Sequence, residues 1–277
     1  MPGKWILLFL FTYDLRLPTH DLRLISPPMR TFGLIGYPLS HSFSKGYFSD
    51  KFLKEKLDDC SYNNYPIEDI GLLHQVLAGN PSLQGLNVTI PYKEKVIPFL
   101  DDISAEAKEI GAVNTIRIAH RNNKLHLKGF NTDVYGFMES LRPLLQQHHQ
   151  RALVLGTGGA SKAVHFALRK LGISATSVSR NKSENNLVYD DLSEDVFCEH
   201  KLIVNTTPLG TYPNVEGCPP LPYQYLTPEH LLYDLVYNPP VTAFLDHGLQ
   251  HGCTVKNGLE MLHLQAEKAW QIWNAHE

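Results

Sequence analysis

Two groups of residues in this 277-residue sequence have the types and spacing to do chemistry. The first is Gly156-Thr157-Gly158-Gly159-Ala160-Ser161, placed between the apolar run 152–155 and a segment with Ala163, Val164, Ala167, Leu168 and Leu171 at helical spacing, stopped at Gly172. Glycines between a strand and a helix allow a tight turn and let backbone amides approach a pyrophosphate resting on the helix N-terminus. Glycines also serve ordinary turns; here the placement carries the dinucleotide reading. Ser161 stands where the common pattern has Gly or Ala. The next strand, 175–179, adds discrimination. An NAD site usually has an acid at that strand end to hold the ribose hydroxyls. This chain has Ser179-Arg180-Asn181-Lys182 there, and a guanidinium can grip a 2′-phosphate bidentately and stack on adenine. The bland alternative is a solvated basic turn.

The second group is Ser42, Ser44, Asn87, Thr89, Lys93, Asn114 and Asp133, all in turns or at strand ends. Those ends are where an open α/β sheet binds ligands. Short hydroxyls and carboxamides both donate and accept, which suits a substrate with several hydroxyl groups. Singly, each has a plainer role: Ser42 and Ser44 as helix caps, Asn87 and Thr89 as strand-edge residues, Asn114 as a turn.

The elements that must position these residues alternate in type, which argues an α/β fold with a mostly parallel sheet. In the first unit, strands are expected at 31–36, 61–66, 86–90 and 112–118, with a hairpin turn at 121–124. Helices are expected after Ser42, with Tyr47, Phe48, Phe52 and Leu57 on the apolar face, and at 70–78, 93–100 and 103–110. The polar stretch 146–150 separates a second unit, whose further strands are 202–205 and 231–235. A final amphipathic helix, 258–273, carries Leu259, Leu262, Gln265, Ala266 and Ala269 on one side.

Bulk properties narrow the partner. Hydrophobic residues at 43% and charged residues at 19% describe a globular chain. A net charge of −3 offers no basic surface to nucleic acid or an anionic membrane, so the expected partner is a small molecule. The 4 cysteines form no Cys-x-x-Cys pair, and none of the 14 histidines falls in a metal-binding spacing, so neither a disulfide framework nor a metal is expected. Residues 1–28 read differently from the rest. The apolar run 5–11 is too short to span a bilayer, and no small-residue cleavage site follows it. They are expected to be an extension outside the core.

The segments Gly36-Tyr-Pro-Leu-Ser-His-Ser42-Phe-Ser44, Asn87-Val-Thr89-Ile-Pro-Tyr-Lys93, Gly111-Ala-Val-Asn114-Thr115 and Asn131-Thr132-Asp133 resemble the motifs of the shikimate dehydrogenase family, in order and in spacing. Gly156 to Ser161, Asn205-Thr-Thr-Pro-Leu-Gly210, Tyr237 and Gly258-Leu-Glu-Met261-Leu-His-Leu-Gln265 extend the resemblance over nearly everything from Met29 onward. It implies a substrate-binding domain (29–129 and 258–277) and a Rossmann-like NADP-binding domain (130–257) flanking a cleft. It implies the reversible reduction of 3-dehydroshikimate to shikimate with NADPH, on the route through chorismate to the aromatic amino acids. A cytoplasmic enzyme, monomeric or homodimeric, is expected.

On matching positions, Ser42 and Ser44 would hold the substrate carboxylate. Asn87, Thr89, Asn114, Asp133 and Gln265 would bind hydroxyls, Tyr237 would line the site, and Lys93 with Asp133 would be the catalytic pair. Residues 156–161, Ser179, Arg180, Lys182, Asn205, Thr206 and Gly258 would form the cofactor site. The pattern departs in two places: NADP-type members often carry a second arginine three residues after the first, and here Ser183-Glu184 follow Lys182, leaving Lys182 to take its place; the loop after it is also short, with Asn185-Asn186 leading quickly to the next segment. The rival enzyme is a quinate or quinate/shikimate dehydrogenase using NAD, against which Arg180 argues. A non-catalytic dinucleotide sensor is the rival from another class, and it has no need of both Lys93 and Asp133.

Overall fold

The computed structural model describes residues 29–39, 42–121 and 124–275; the expectation for residues 1–28 lies outside them. The first unit runs β1 (Arg30–Gly36), α1 (Phe43–Glu55), β2 (Cys60–Pro66), α2 (Leu73–Gly79), β3 (Leu83–Val88), β4 (Asp102–Ile103), α3 (Ala105–Ile110), β5 (Thr115–Arg121) and β6 (Lys124–Phe130). Its sheet has the order β2-β1-β3-β5-β6-β4. β1 lies parallel to β2 and β3, and β4 to β6, while β3–β5 and the β5–β6 hairpin are antiparallel.

α4 (Asp133–Leu141) leads to the second unit: β7 (Arg151–Leu155), α5 (Gly159–Lys170), β8 (Ser174–Ser179), β9 (Asn186–Val188), α6 (Glu194–Glu199), β10 (Leu202–Asn205), β11 (Leu231–Asp234), α7 (Ala243–Gln250), β12 (Thr254–Lys256) and α8 (Leu259–Trp273). Neighbouring strands of this sheet all pair in parallel, in the order β12-β11-β10-β7-β8-β9. β7 is covered on both faces, so it reads as a continuous apolar run. Ala152 and Val154 enter the core with α4 and α5, while Leu153 and Leu155 enter the one with α7. The strand order reverses between β7 and β10, the place where such sheets open a crevice for ligands.

The last helix returns to the first sheet. Ala266, Ala269 and Trp273 share a core with Phe32, Phe48, Phe52 and Tyr62, while Met261 belongs to the core around Phe137. α8 therefore packs against both units. It lies close to α4 because Gly136 has no side chain: a Cβ there would stand 2.5 Å from the Met261 carbonyl oxygen.

Two helices expected from the sequence are shortened. Residues 93–96 form a turn, followed by a short 3₁₀ helix at Ile97–Phe99. The reason is tertiary: the Lys93 carbonyl, which a helix would offer to Ile97, accepts the Val113 amide at 2.7 Å. Residues 102–103 pair with β6, so the next helix starts only at Ala105, capped by the Ser104 hydroxyl. The strand expected at 112–118 lies at Thr115–Arg121, after Gly111 ends α3 in the left-handed region at φ 71°.

Candidate active site

The carboxyl ends of β1 and β3, the start of α1, α8 and Tyr237 enclose a cavity of about 430 Å³. Ser42, Ser44, Asn87, Thr89, Lys93, Asn114, Asp133, Tyr237 and Gln265 all line it, bringing together residues up to 223 positions apart in the sequence. Lys93 sits on the turn held by Val113, and Asp133 opens α4. Lys93 Nζ donates to Asp133 Oδ2 at 2.7 Å, with side-chain exposures of 21% and 11%. Both face the cavity.

A hydrogen-bonded web fixes the opposite wall. Asn114 Oδ1 accepts the Thr132 amide at 2.7 Å, and Asn114 Nδ2 donates to Thr132 Oγ1 at 3.0 Å and to Gln265 Oε1 at 3.4 Å. Thr115 donates to Asn114 Oδ1 at 3.1 Å. Thr115 and Thr132 are fully buried, and they tie β5, α4 and α8 to one another. Neither was singled out by sequence, although both lie within the family-like motifs. Ser42 does cap α1, accepting the Lys45 amide at 3.4 Å, while also lining the cavity. Phe43 meets Tyr237 edge-on at 5.9 Å and His263 at 5.2 Å, so the α1 start reaches the second unit through an aromatic contact.

The dinucleotide motif forms the β7–α5 turn. Gly156 has φ 106°, and a Cβ there would lie 2.9 Å from Thr206 Oγ1, so only glycine suits it. Thr206 Oγ1 donates to the Leu155 carbonyl at 2.6 Å, holding the two strand ends together. At the α5 N-cap, Gly158 is extended, no side chain caps the first amides, and the space beside it is open. Thr157 and Gly158 are exposed and Gly159 and Ala160 partly so, whereas Ser161 is buried against the sheet, which explains the small residue there. Uncapped amides with an open approach fit an anion such as a pyrophosphate.

Arg180 is exposed just beyond β8, with no ion-pair partner among the described residues. Ser179 is engaged locally: its hydroxyl donates to the Asn181 carbonyl at 2.7 Å and accepts from Asn186. Lys182, itself exposed, pairs with Asp191. Glu94, beside Lys93, reaches across to Lys162 on α5 at 2.8 Å. No local pattern signals that contact, since the two residues lie in different units.

Asn205 and Gly258, expected at the cofactor site, are both held by close contacts within the second unit. Asn205 is fully buried, donating to Asp234 Oδ1 at 2.9 Å and accepting from the Thr207 amide and hydroxyl. Gly258 approaches so closely that a Cβ would stand 2.2 Å from the Leu235 carbonyl oxygen, and its amide donates to Val236 at 3.1 Å. Asp234 is the hub below Tyr237, also accepting from the Val236 amide at 3.0 Å and Thr242 at 2.6 Å. Burial pushes its carboxyl up to about 6, against the pull of these donors. Between about pH 4 and 6 the folded chain thus holds a proton that the unfolded chain has released. Stability falls as pH rises through that window, by about 3 kcal/mol for this group. Asp234→Asn keeps an acceptor for Asn205 and Val236 and can donate to Thr242. It should raise Tm at pH 8 and lose that advantage at pH 4; a lower Tm at both values would show that the charge itself is required.

Residues 34–116 match the family model described as the shikimate dehydrogenase substrate binding domain. The chain is 36% identical over 270 residues to the shikimate dehydrogenase (NADP(+)) of Caldanaerobacter subterraneus, covering 90% of this chain and 93% of that one. The chain belongs to the shikimate dehydrogenase family. Within the family, it superposes with a TM-score of 0.76 on the Thermus thermophilus shikimate 5-dehydrogenase in complex with NADP(H) and shikimate, at 32% identity over 89% of this chain and 94% of that one. It also superposes with a TM-score of 0.78 on the Corynebacterium glutamicum quinate dehydrogenase in complex with NAD, at 26% identity over 90% and 95%. Among the described residues no helix is long and apolar enough to cross a membrane.

Proposed function

We propose that the chain catalyses the reversible, NADP-dependent reduction of 3-dehydroshikimate to shikimate. The observation that carries this reading is the cavity in which the Lys93–Asp133 pair meets a wall of hydroxyls and carboxamides, in a chain whose relatives are NADP-dependent shikimate dehydrogenases. In this reading residues 29–129 and 258–277 bind the substrate, and 130–257 bind the dinucleotide. The packing of α8 on the first sheet supports the return at 258.

The hydroxyls of Ser42 and Ser44 take the ring carboxylate, and Asn87, Thr89, Asn114, Asp133 and Gln265 orient the ring hydroxyls. Tyr237 closes the cavity from the second unit. A bound dinucleotide supplies the hydride in reduction and accepts it in oxidation. Lys93 delivers a proton to the oxygen of the ketone in reduction and receives it from the resulting hydroxyl in oxidation, while Asp133 holds the ammonium and the adjacent hydroxyl in place. The amides of α5 hold the pyrophosphate, and Arg180 grips the 2′-phosphate.

Assaying shikimate and quinate, each with NADP⁺ and NAD⁺, tests the reading. The highest kcat/KM is expected for shikimate with NADP⁺. Preferred turnover of quinate with NAD⁺ would move the chain to the other activity. No turnover in any combination would leave a binding protein. Arg180→Asp should raise KM for NADP⁺ by about ten- to a hundredfold, the worth of a charge-assisted contact, and leave NAD⁺ use nearly unchanged. An equal loss for both cofactors would assign Arg180 a structural role.

A further inference from the structure

We propose that Tyr62, which lies outside every motif, is a positioning residue that fixes the Asn87 amide as a hydrogen-bond donor toward the substrate. The proposal deepens the reading of the cavity as a site for a polyhydroxylated acid and rests on it. Tyr62 stands on β2, behind the cavity wall, and is 4% exposed. Its ring is held by stacking on Phe48, with centroids 4.7 Å apart and planes at 13°, beside Trp273. Only the hydroxyl reaches toward the site. It donates to Asn87 Oδ1 at 2.7 Å, the shortest contact the amide makes.

That contact decides which end of the amide the substrate meets. Oδ1 takes the phenol's short hydrogen bond, which leaves Nδ2 as the weakly held end of a residue that lines the cavity. Nδ2 makes two long contacts, 3.4 Å to the Asn114 carbonyl and 3.3 Å to Thr115 Oγ1. Bonds at that length are weak, and a ligand hydroxyl can compete for the amide hydrogens. Burial raises the phenol's pKa far above the ordinary value, so it stays protonated and remains a donor to Asn87. Without the hydroxyl, the amide loses the partner that fixes its orientation, and its oxygen is left unpaired in a buried site.

Tyr62→Phe keeps the stack on Phe48 and removes only the hydroxyl. It should raise KM for shikimate by about tenfold, the usual consequence of one lost hydrogen bond, with kcat and KM for NADP⁺ close to wild type. The same change placed on Asn87→Ala should add almost nothing, because the effect passes through that amide. Additive losses in the double variant would overturn the proposal. So would an unchanged KM, or a rise in KM for both substrates that follows a fall in Tm. Wild-type enzyme measured alongside separates the two levels. If it turns over shikimate and Tyr62→Phe is indifferent, only the positioning role fails. If wild type does not turn over shikimate, the functional reading fails and takes the proposal with it.

Discussion

Lys93→Ala should cut shikimate turnover by roughly two to four decades while leaving NADP⁺ binding intact, the range expected of a general acid–base. Hydride arrival at a ketone carbon leaves an alkoxide, which becomes a product only by gaining a proton. An ammonium positioned at that oxygen supplies it. Oxidation runs the same path backward, with the amine receiving the proton of the substrate hydroxyl. The geometry suits both directions: Nζ is anchored 2.7 Å from Asp133 Oδ2, and both groups line the cavity rather than the outer surface. A surface ion pair would contribute only about 0–1 kcal/mol to stability and nothing to rate. The turn itself is held through the Lys93 carbonyl and the Val113 amide, so the alanine variant should keep its fold. Asp133→Asn should lower both turnover and shikimate affinity, since it loosens the ammonium and a substrate contact together. Retention of more than about a tenth of wild-type turnover by Lys93→Ala would remove the acid–base assignment.

The parts of this molecule that could be read from sequence are those whose causes are local. The β7–glycine–α5 unit follows from an apolar run, a turn that needs φ 106° at Gly156, and helical spacing after it. The nine cavity residues were legible as motifs, although each had a plainer use, and Ser42 serves as cap and cavity wall at once. What was not legible depends on partners distant in sequence. The segment after Lys93 has a helical pattern, but a carbonyl taken by Val113 diverts it. Tyr62 sits among polar strand residues, and only the pairing of β1 with both β2 and β3 places its hydroxyl on Asn87. The bond of Asn205 to Asp234 joins two strands that only the sheet brings side by side. The contact of Glu94 with Lys162 depends on how two units meet, which no local spacing encodes.

Trp273→Ala should lower stability by about 3–5 kcal/mol, the usual cost of truncating a buried aromatic, and Tm by roughly 6–20 °C. Trp273 is 6% exposed, stacks on Phe32 at 5.0 Å, packs on Phe48 at 5.3 Å, and donates from Nε1 to the Ile116 carbonyl at 3.0 Å. Gly85 leaves the space it fills: a Cβ there would stand 2.3 Å from the indole nitrogen. No small neighbouring movement can close the void, because the surrounding rings also pack against one another. Trp273→Phe, which keeps a ring but loses the hydrogen bond, should cost much less, about 1 kcal/mol for the bond. The consequence for function follows from what else α8 carries. Gln265, two turns earlier, bonds to Asn114 and Thr132 in the cavity wall, so a helix loosened from the first sheet should raise KM for shikimate. The β7–α5 turn shares no residue with that core, so KM for NADP⁺ should change far less. Melting and kinetics on the same preparations check both halves. A Tm near wild type would mean that α8 is held mainly through α4, and equal rises in both KM values would mean that α8 supports the whole molecule rather than the substrate wall.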